Sequence, residues 1–182
     1  MAKLAAKTYG DSLFELALEE NKLEMLMDEA EFVLKVLAEN DDLLKLMTHP
    51  KISKEEKEQI IENIFKSKAS DEMTGFLLIV IKKGRFKEIN GILEHFVAKV
   101  KEYKKIGVVF VSTAVELKQQ QKDALMKKLL ETTEYETMEM NYTTDSSLIG
   151  GMVIRIGDRV VDSSIKHKLN DLTRELLKVQ LA

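Results

Sequence analysis

Apolar residues up to about Tyr103 return at helical spacing. From about Lys3 to Glu20, Leu4, Ala5, Tyr9, Leu13, Leu16 and Ala17 recur every three or four positions, with Phe14 and Leu18 beside them. That pattern predicts a helix whose apolar face is broad for a surface element. Leu23, Leu26, Met27, Ala30, Val33, Leu34 and Leu37 form a second stripe, ending near Glu39. Asn40 and Asp41 break it, and a short third helix carries Leu43, Leu44, Leu46 and Met47 up to Pro50. Ser53 with Glu56 reads as a capping box, each side chain satisfying an orphan amide at a helix start. The fourth helix it opens carries Ile60, Ile61, Ile64 and Phe65. Ser70 and Asp71 open a fifth, whose stretch from Phe76 to Ile81 is apolar all round. Such a helix is central in a bundle or covered by a partner. Gly84 suits a left-handed cap at its end. A sixth helix sets Phe86, Ile89, Ile92, Leu93, Phe96, Val97 and Val100 on one face and ends near Tyr103. Six helices with short polar breaks predict a compact bundle over residues 1–104.

Near Lys105 the period changes. The β-branched run Gly107 to Val115 reads as a strand. Leu117 to about Thr132 returns to helix, with Leu125, Met126, Leu129 and Leu130 expected to face inward. Met138, Met140 and Tyr142 then alternate with Thr137, Glu139 and Asn141, which is the period of a strand. Met152, Ile154 and Ile156 alternate again, and Gly157-Asp158 is a two-residue hairpin signal returning through Arg159 to Asp162. Ser163 or Ser164 caps a last helix with Ile165, Leu169, Leu172 and Leu176 on one face. The expected fold is α+β overall: the six-helix bundle, then a small α/β domain over residues 105–182 with a β-hairpin and a C-terminal helix.

Composition narrows the function classes. The 182 residues contain no cysteine, no tryptophan and one proline. Disulfides, thiolate-bound metal and a thiol nucleophile are thereby excluded. The net charge of −3 argues against a nucleic-acid binder, which would show a basic excess. The longest apolar run, Gly75 to Ile81, is far short of the ~20 residues of a membrane span. Asp11 and Glu15 stand where a secretory signal would need its apolar region. The expectation is a cytosolic, soluble chain with no direct membrane insertion.

Catalytic chemistry is not readable. His49, His95 and His167 lie on different predicted elements without ligand spacing, and His95 reads as a half-exposed surface residue. No phosphate-binding loop is present, and Gly150, Gly151 and Gly157 precede a strand and a hairpin, where a dinucleotide fingerprint requires a helix. Lys82-Lys83-Gly84-Arg85 is the tight basic cluster, and complements the end of the fifth helix. No metal, cofactor or catalytic residue is expected. What stands out is surplus apolar surface on the first and fifth helices, more than so small a bundle hides easily. A groove between them would accept an amphipathic helix from a partner.

The run Asp145-Ser146-Ser147-Leu148-Ile149-Gly150-Gly151-Met152-Val153-Ile154-Arg155-Ile156-Gly157-Asp158, with Val161-Asp162-Ser163-Ser164 after it, resembles the signature of the delta subunits of F-type ATP synthases. These are the bacterial relatives of the mitochondrial oligomycin-sensitivity-conferring protein. Tyr9-Gly10-Asp11-Ser12-Leu13-Phe14-Glu15-Leu16-Ala17 resembles that family's opening Y-A-x-A-L-F-x-x-A helix, with Gly10 and Ser12 in place of its two small alanines. Lys83-Gly84-Arg85-Phe86 is similar to its N-G-R-L corner, with Lys for Asn.

The resemblance implies a non-catalytic peripheral-stalk subunit that stops the catalytic hexamer turning with the rotor, so that proton flow drives synthesis. It implies that the helical domain holds the N-terminal helix of an alpha subunit between its first and fifth helices. The second domain would engage the C-terminal ends of the b subunits. Carried over by position, the groove residues are Tyr9, Ser12 and Leu13 on one helix and Phe76, Ile79 and Lys83 on the other. Gly10 and Ser12 would let the partner's backbone come close. Gly150, Gly151, Gly157, Asp158 and Asp162 are read as structural, Gly150 and Gly151 for unusual backbone angles. A hetero-oligomeric partnership, a monomeric state in isolation and the cytoplasmic face of the bacterial plasma membrane follow from the same likeness. Two other classes stay open: an all-helical adaptor or RNA-binding module of a transcription complex, and a small enzyme.

Overall fold

The computed structural model describes residues 2–66 and 68–180. It divides into two compact units, Met1–Lys101 and Glu102–Ala182. In the first unit run α1 (Ala2–Glu19), α2 (Leu23–Glu39), α3 (Asp41–Thr48), α4 (Lys54–Phe65), α5 (Asp71–Lys82) and α6 (Ile89–Tyr103), the last of which crosses the division. A separate 3-10 turn, Phe86–Glu88, precedes α6, so the sixth helix starts three residues later than its apolar pattern suggests.

Side-chain caps determine several of these boundaries. Ser53 Oγ accepts from Glu56 N–H at 3.2 Å while Glu56 Oε2 accepts from Ser53 N–H at 3.0 Å, the reciprocal box that opens α4. At the far end of α5, Gly84 takes φ +68°. Its N–H reaches Ile81 O at 2.8 Å and Arg85 N–H reaches Val80 O at 3.0 Å. That pair of bonds is a Schellman motif, and only a residue tolerant of the left-handed region can hold it. The core of this unit joins Leu13, Phe14 and Ala17 of α1 to Leu26, Ala30 and Val33 of α2. The buried faces of α5 and α6, from Met73 to Ile81 and Ile89 to Val100, complete it.

The second unit contains β1 (Ile106–Thr113), α7 (Gln119–Thr132), β2 (Thr137–Thr144), β3 (Met152–Ile156), β4 (Arg159–Asp162) and α8 (Ile165–Gln180). The strands form one mixed sheet in the order β2-β1-β3-β4. β1 pairs parallel with β2 across the α7 crossover and antiparallel with β3. The Ile156↔Arg159 register leaves Gly157-Asp158 as a two-residue turn between β3 and β4, with Gly157 at φ +56°. Central β1 buries alternate residues, Val109, Val111 and Thr113, as a strand with one face inward must.

One inward expectation fails in this unit. Met126 is 38% exposed rather than inward. Ile165, Leu169, Leu172 and Leu176 of α8 are 43–68% exposed, so their stripe is an open face, not core.

Candidate partner-binding site

The outward faces of α1 and α5 owe their definition to how firmly α5 is fixed. Ser70 Oγ accepts from Met73 N–H at 3.2 Å, capping the helix start. The same hydroxyl donates to Glu29 Oε2 at 2.7 Å and Ser70 N–H donates to Glu29 Oε1 at 2.9 Å, which ties that start to α2. Lys22, in the α1–α2 turn, bonds Glu20 at 2.7 Å and reaches across to Glu72. The Lys22 ammonium holds the Glu72 carboxyl down to about 2, and Lys22 is raised by Glu20 first and Glu72 second. At its other end Lys82 O accepts from Lys54 Nζ at 2.9 Å.

So fixed, α5 buries Met73, Leu77, Val80 and Ile81 and turns Ile79 outward at 50% exposure, with exposed Lys83 one turn further on. Phe76, grouped with them from the sequence, is 8% exposed and belongs to the core. On α1, Tyr9 is half-buried against the core and Ser12 is exposed, its hydroxyl donating to Thr8 O at 2.9 Å. Leu13 is 1% exposed and is a core residue. It sits one step further round the helix than Tyr9 and Ser12, which is enough to put it under the surface.

Gly10 corrects another expectation. A Cβ there would stand 2.7 Å from His95 Cδ2 and 3.1 Å from Ile92 O. Its smallness lets α6 close on α1 and gives nothing to a partner. Beside it, Asp11 Oδ1 accepts from Lys99 Nζ at 2.6 Å and bonds His95 Nε2 at 3.1 Å. Lys99 first, then His95, holds the Asp11 carboxyl below the ordinary carboxylate value. His95 is thus half of an interhelical contact, which nothing in its local sequence signals. Gly75 is an interior residue of α5. It precedes Ile79 by four residues and Lys83 by eight, so it shares their outward face.

In the second unit Gly151 has φ +75°, and a Cβ would meet Ser163 O at 2.4 Å. Gly150 is different: its φ is not positive, and its Cβ position meets only the movable end of a half-exposed side chain, Ile165 Cδ1 at 2.6 Å. The unusual angle beside it belongs to Ile149, at φ +67°. Asp162 Oδ1 accepts from Ser164 N–H at 2.8 Å, and Ser164 Oγ accepts from His167 N–H at 3.1 Å, which makes Ser164 the cap of α8. Bonding to Ser164 keeps Asp162 below the ordinary carboxylate range. Among the described residues no group of His, Asp and Glu is placed to hold a metal ion.

The family model for the ATP synthase delta (OSCP) subunit matches residues 5–176. The ATP synthase subunit delta of Lachnoclostridium phytofermentans is 55% identical over 181 residues, covering 100% of both chains. That of Alkaliphilus oremlandii is 33% identical over 181 residues, covering 98% of this chain and 99% of the other. The chain belongs to the ATP synthase delta (OSCP) subunit family. It is a peripheral-stalk component of F-type ATP synthase and not one of its catalytic subunits. The reading as an adaptor or RNA-binding module of a transcription complex finds no support. The delta-subunit fold is similar to that of a chain in the Toxoplasma gondii mitochondrial ATP synthase hexamer, at TM-score 0.76 and 18% identity over 94% of this chain and 97% of that one. Among the described residues no helix is long and apolar enough to cross a membrane.

Proposed function

We propose that residues 1–104 hold the N-terminal helix of an alpha subunit along the outward faces of α1 and α5, and that residues 105–182 engage the C-terminal ends of the b subunits. In that arrangement the chain links the catalytic hexamer to the membrane-anchored stalk and resists rotor torque. It resides at the cytoplasmic face of the bacterial plasma membrane through the complex and is a monomer in isolation.

The observation that carries the first contact is Ile79. A half-exposed isoleucine on a helix whose opposite face is core leaves apolar area that an amphipathic helix buries favourably, at roughly 25 cal/mol per Å². Lys83 lies one turn beyond it on α5, and partly open Tyr9 and exposed Ser12 on α1 are the residues that would meet the same helix. Leu13 and Phe76 act from below, by supporting the two helices. The open stripe of Leu169, Leu172 and Leu176 on α8 supports the second contact in the same way.

Titration of the full chain with a synthetic peptide of the alpha-subunit N-terminus tests the first contact. The peptide should bind with gain of helicity, and Ile79→Ala should weaken it by about 1–2 kcal/mol, the worth of a covered aliphatic anchor. Absence of any binding by the unaltered chain rejects the reading.

A further inference from the structure

α1, α5 and α6 each carry an interior glycine, a residue that weakens a helix relative to alanine. Two of the three are accounted for within the chain. Gly10 lies under α6, with His95 Cδ2 2.7 Å from where its Cβ would be. Gly91 faces Ala6 Cβ at an ordinary 3.7 Å. Gly75 faces no other element: apart from its two chain neighbours and its own helix backbone, no atom lies within 4 Å of its Cβ position. Its φ is not positive, so the backbone does not require glycine there either.

Gly10 shows what an interior glycine does in this molecule, which is to let the backbone of a second helix approach. Gly75 presents the same bare backbone outward, one turn before Ile79 and two turns before Lys83. A helix crossing α5 at Gly75 would bring its own backbone close and set an apolar side chain against Ile79. Lys83, exposed at the basic end of α5 beside Lys82 and Arg85, favours an acidic residue on the partner near that end. Lys82 is occupied with Glu58 at 3.7 Å and Arg85 with Glu88 at 3.7 Å, both within the chain.

We infer that Gly75 is the close-approach point at which the docked helix crosses α5, and that it sets the depth and register of docking. This rests on the docking reading given above. The occupant is an amphipathic helix with a small or apolar residue facing Gly75 and a carboxylate within reach of Lys83.

The test separates stability from affinity in the full chain, with the alpha-subunit N-terminal peptide as probe. Gly75→Ala should raise the thermal midpoint, because alanine is the better helix former and its methyl enters open space. The same substitution should weaken peptide binding about fivefold, and Gly75→Leu fiftyfold or more, as the added bulk lifts the partner off α5. Gly91→Ala is the control, adding a methyl at ordinary contact distance from Ala6 and to a helix other than α5, and should leave affinity within about twofold. Wild-type binding with an unchanged affinity in Gly75→Leu would overturn the inference while leaving the docking reading in place. A loss of both stability and affinity in Gly75→Ala would also overturn it, since that marks a structural glycine. Failure of the unaltered chain to bind the peptide removes both.

Discussion

Asp11 and Lys99, 88 residues apart, meet at 2.6 Å across the α1–α6 contact, one residue from the glycine where the two helices close. The bond agrees with the rotation of α1 that its core residues Leu13, Phe14 and Ala17 set. Lys99 Nζ also lies 4.8 Å from the centre of the Phe14 ring, so the ammonium closes over an apolar edge of the core.

The Asp11 carboxyl is held low in the folded chain, so it contributes stability above its unfolded value. That contribution is lost as pH falls through the lowered folded value. Asp11→Asn should cost about 1 kcal/mol at neutral pH, the scale of a partly exposed charged hydrogen bond. The difference between the two proteins should begin to shrink as pH falls below about 4, the unfolded value, and vanish only once pH has passed the lowered folded value. Urea unfolding at a series of pH values measures it; a constant difference down to pH 2 would show that the charge is not what matters.

Gly151 and Gly157 both take positive φ, but only one is crowded. Gly151→Ala adds a methyl 2.4 Å from Ser163 O, and should cost about 3 kcal/mol through strain and backbone displacement. Gly157→Ala meets nothing within 4 Å and should cost only about 1 kcal/mol, the left-handed penalty alone. Chemical denaturation of the two variants gives the ranking; equal costs would mean that the contact of Gly151 with Ser163 relaxes freely.

Leu13 and Ile79 separate core from surface. Leu13→Ala leaves a cavity under α1 and should cost about 2–5 kcal/mol of stability. Ile79→Ala removes a half-exposed side chain and should stay within about 1 kcal/mol. Peptide affinity, measured on the folded fraction, should show the reverse order. Tyr9→Ala should lower both quantities, because its ring packs on the core while its edge stays open.

The helical unit carries its own core, from Leu13 to Val100. Expressed alone, residues 1–104 should therefore remain helical by circular dichroism and melt in a single cooperative transition. A largely unfolded fragment would show that the unit draws its stability from the rest of the chain.

The sequence by itself determined what depends on neighbours a few residues away. The Ser53–Glu56 box, the Ser70 cap, the Gly84 corner and the Gly157-Asp158 turn each close within five residues, so their partners are legible side by side. The change of period near Lys105 likewise separates a helical unit from a sheet-containing one, because burial of one face imposes 3.6 on a helix and 2 on a strand. Periodicity gives the direction of a face, and not its depth or what covers it. Tyr9 and Leu13 lie in one stripe of α1, yet only the packing of α1 against its neighbours sends Leu13 to the core and leaves Tyr9 at the edge. Gly10 reads as available to a partner from its neighbours in the chain, but α6 lies on it. The α8 leucines form a good stripe, yet Leu169, Leu172 and Leu176 stay half-exposed or more. Asp11, His95 and Lys99 are drawn together by a helix crossing, and a crossing is a property of two surfaces, one of which is written 80 residues away.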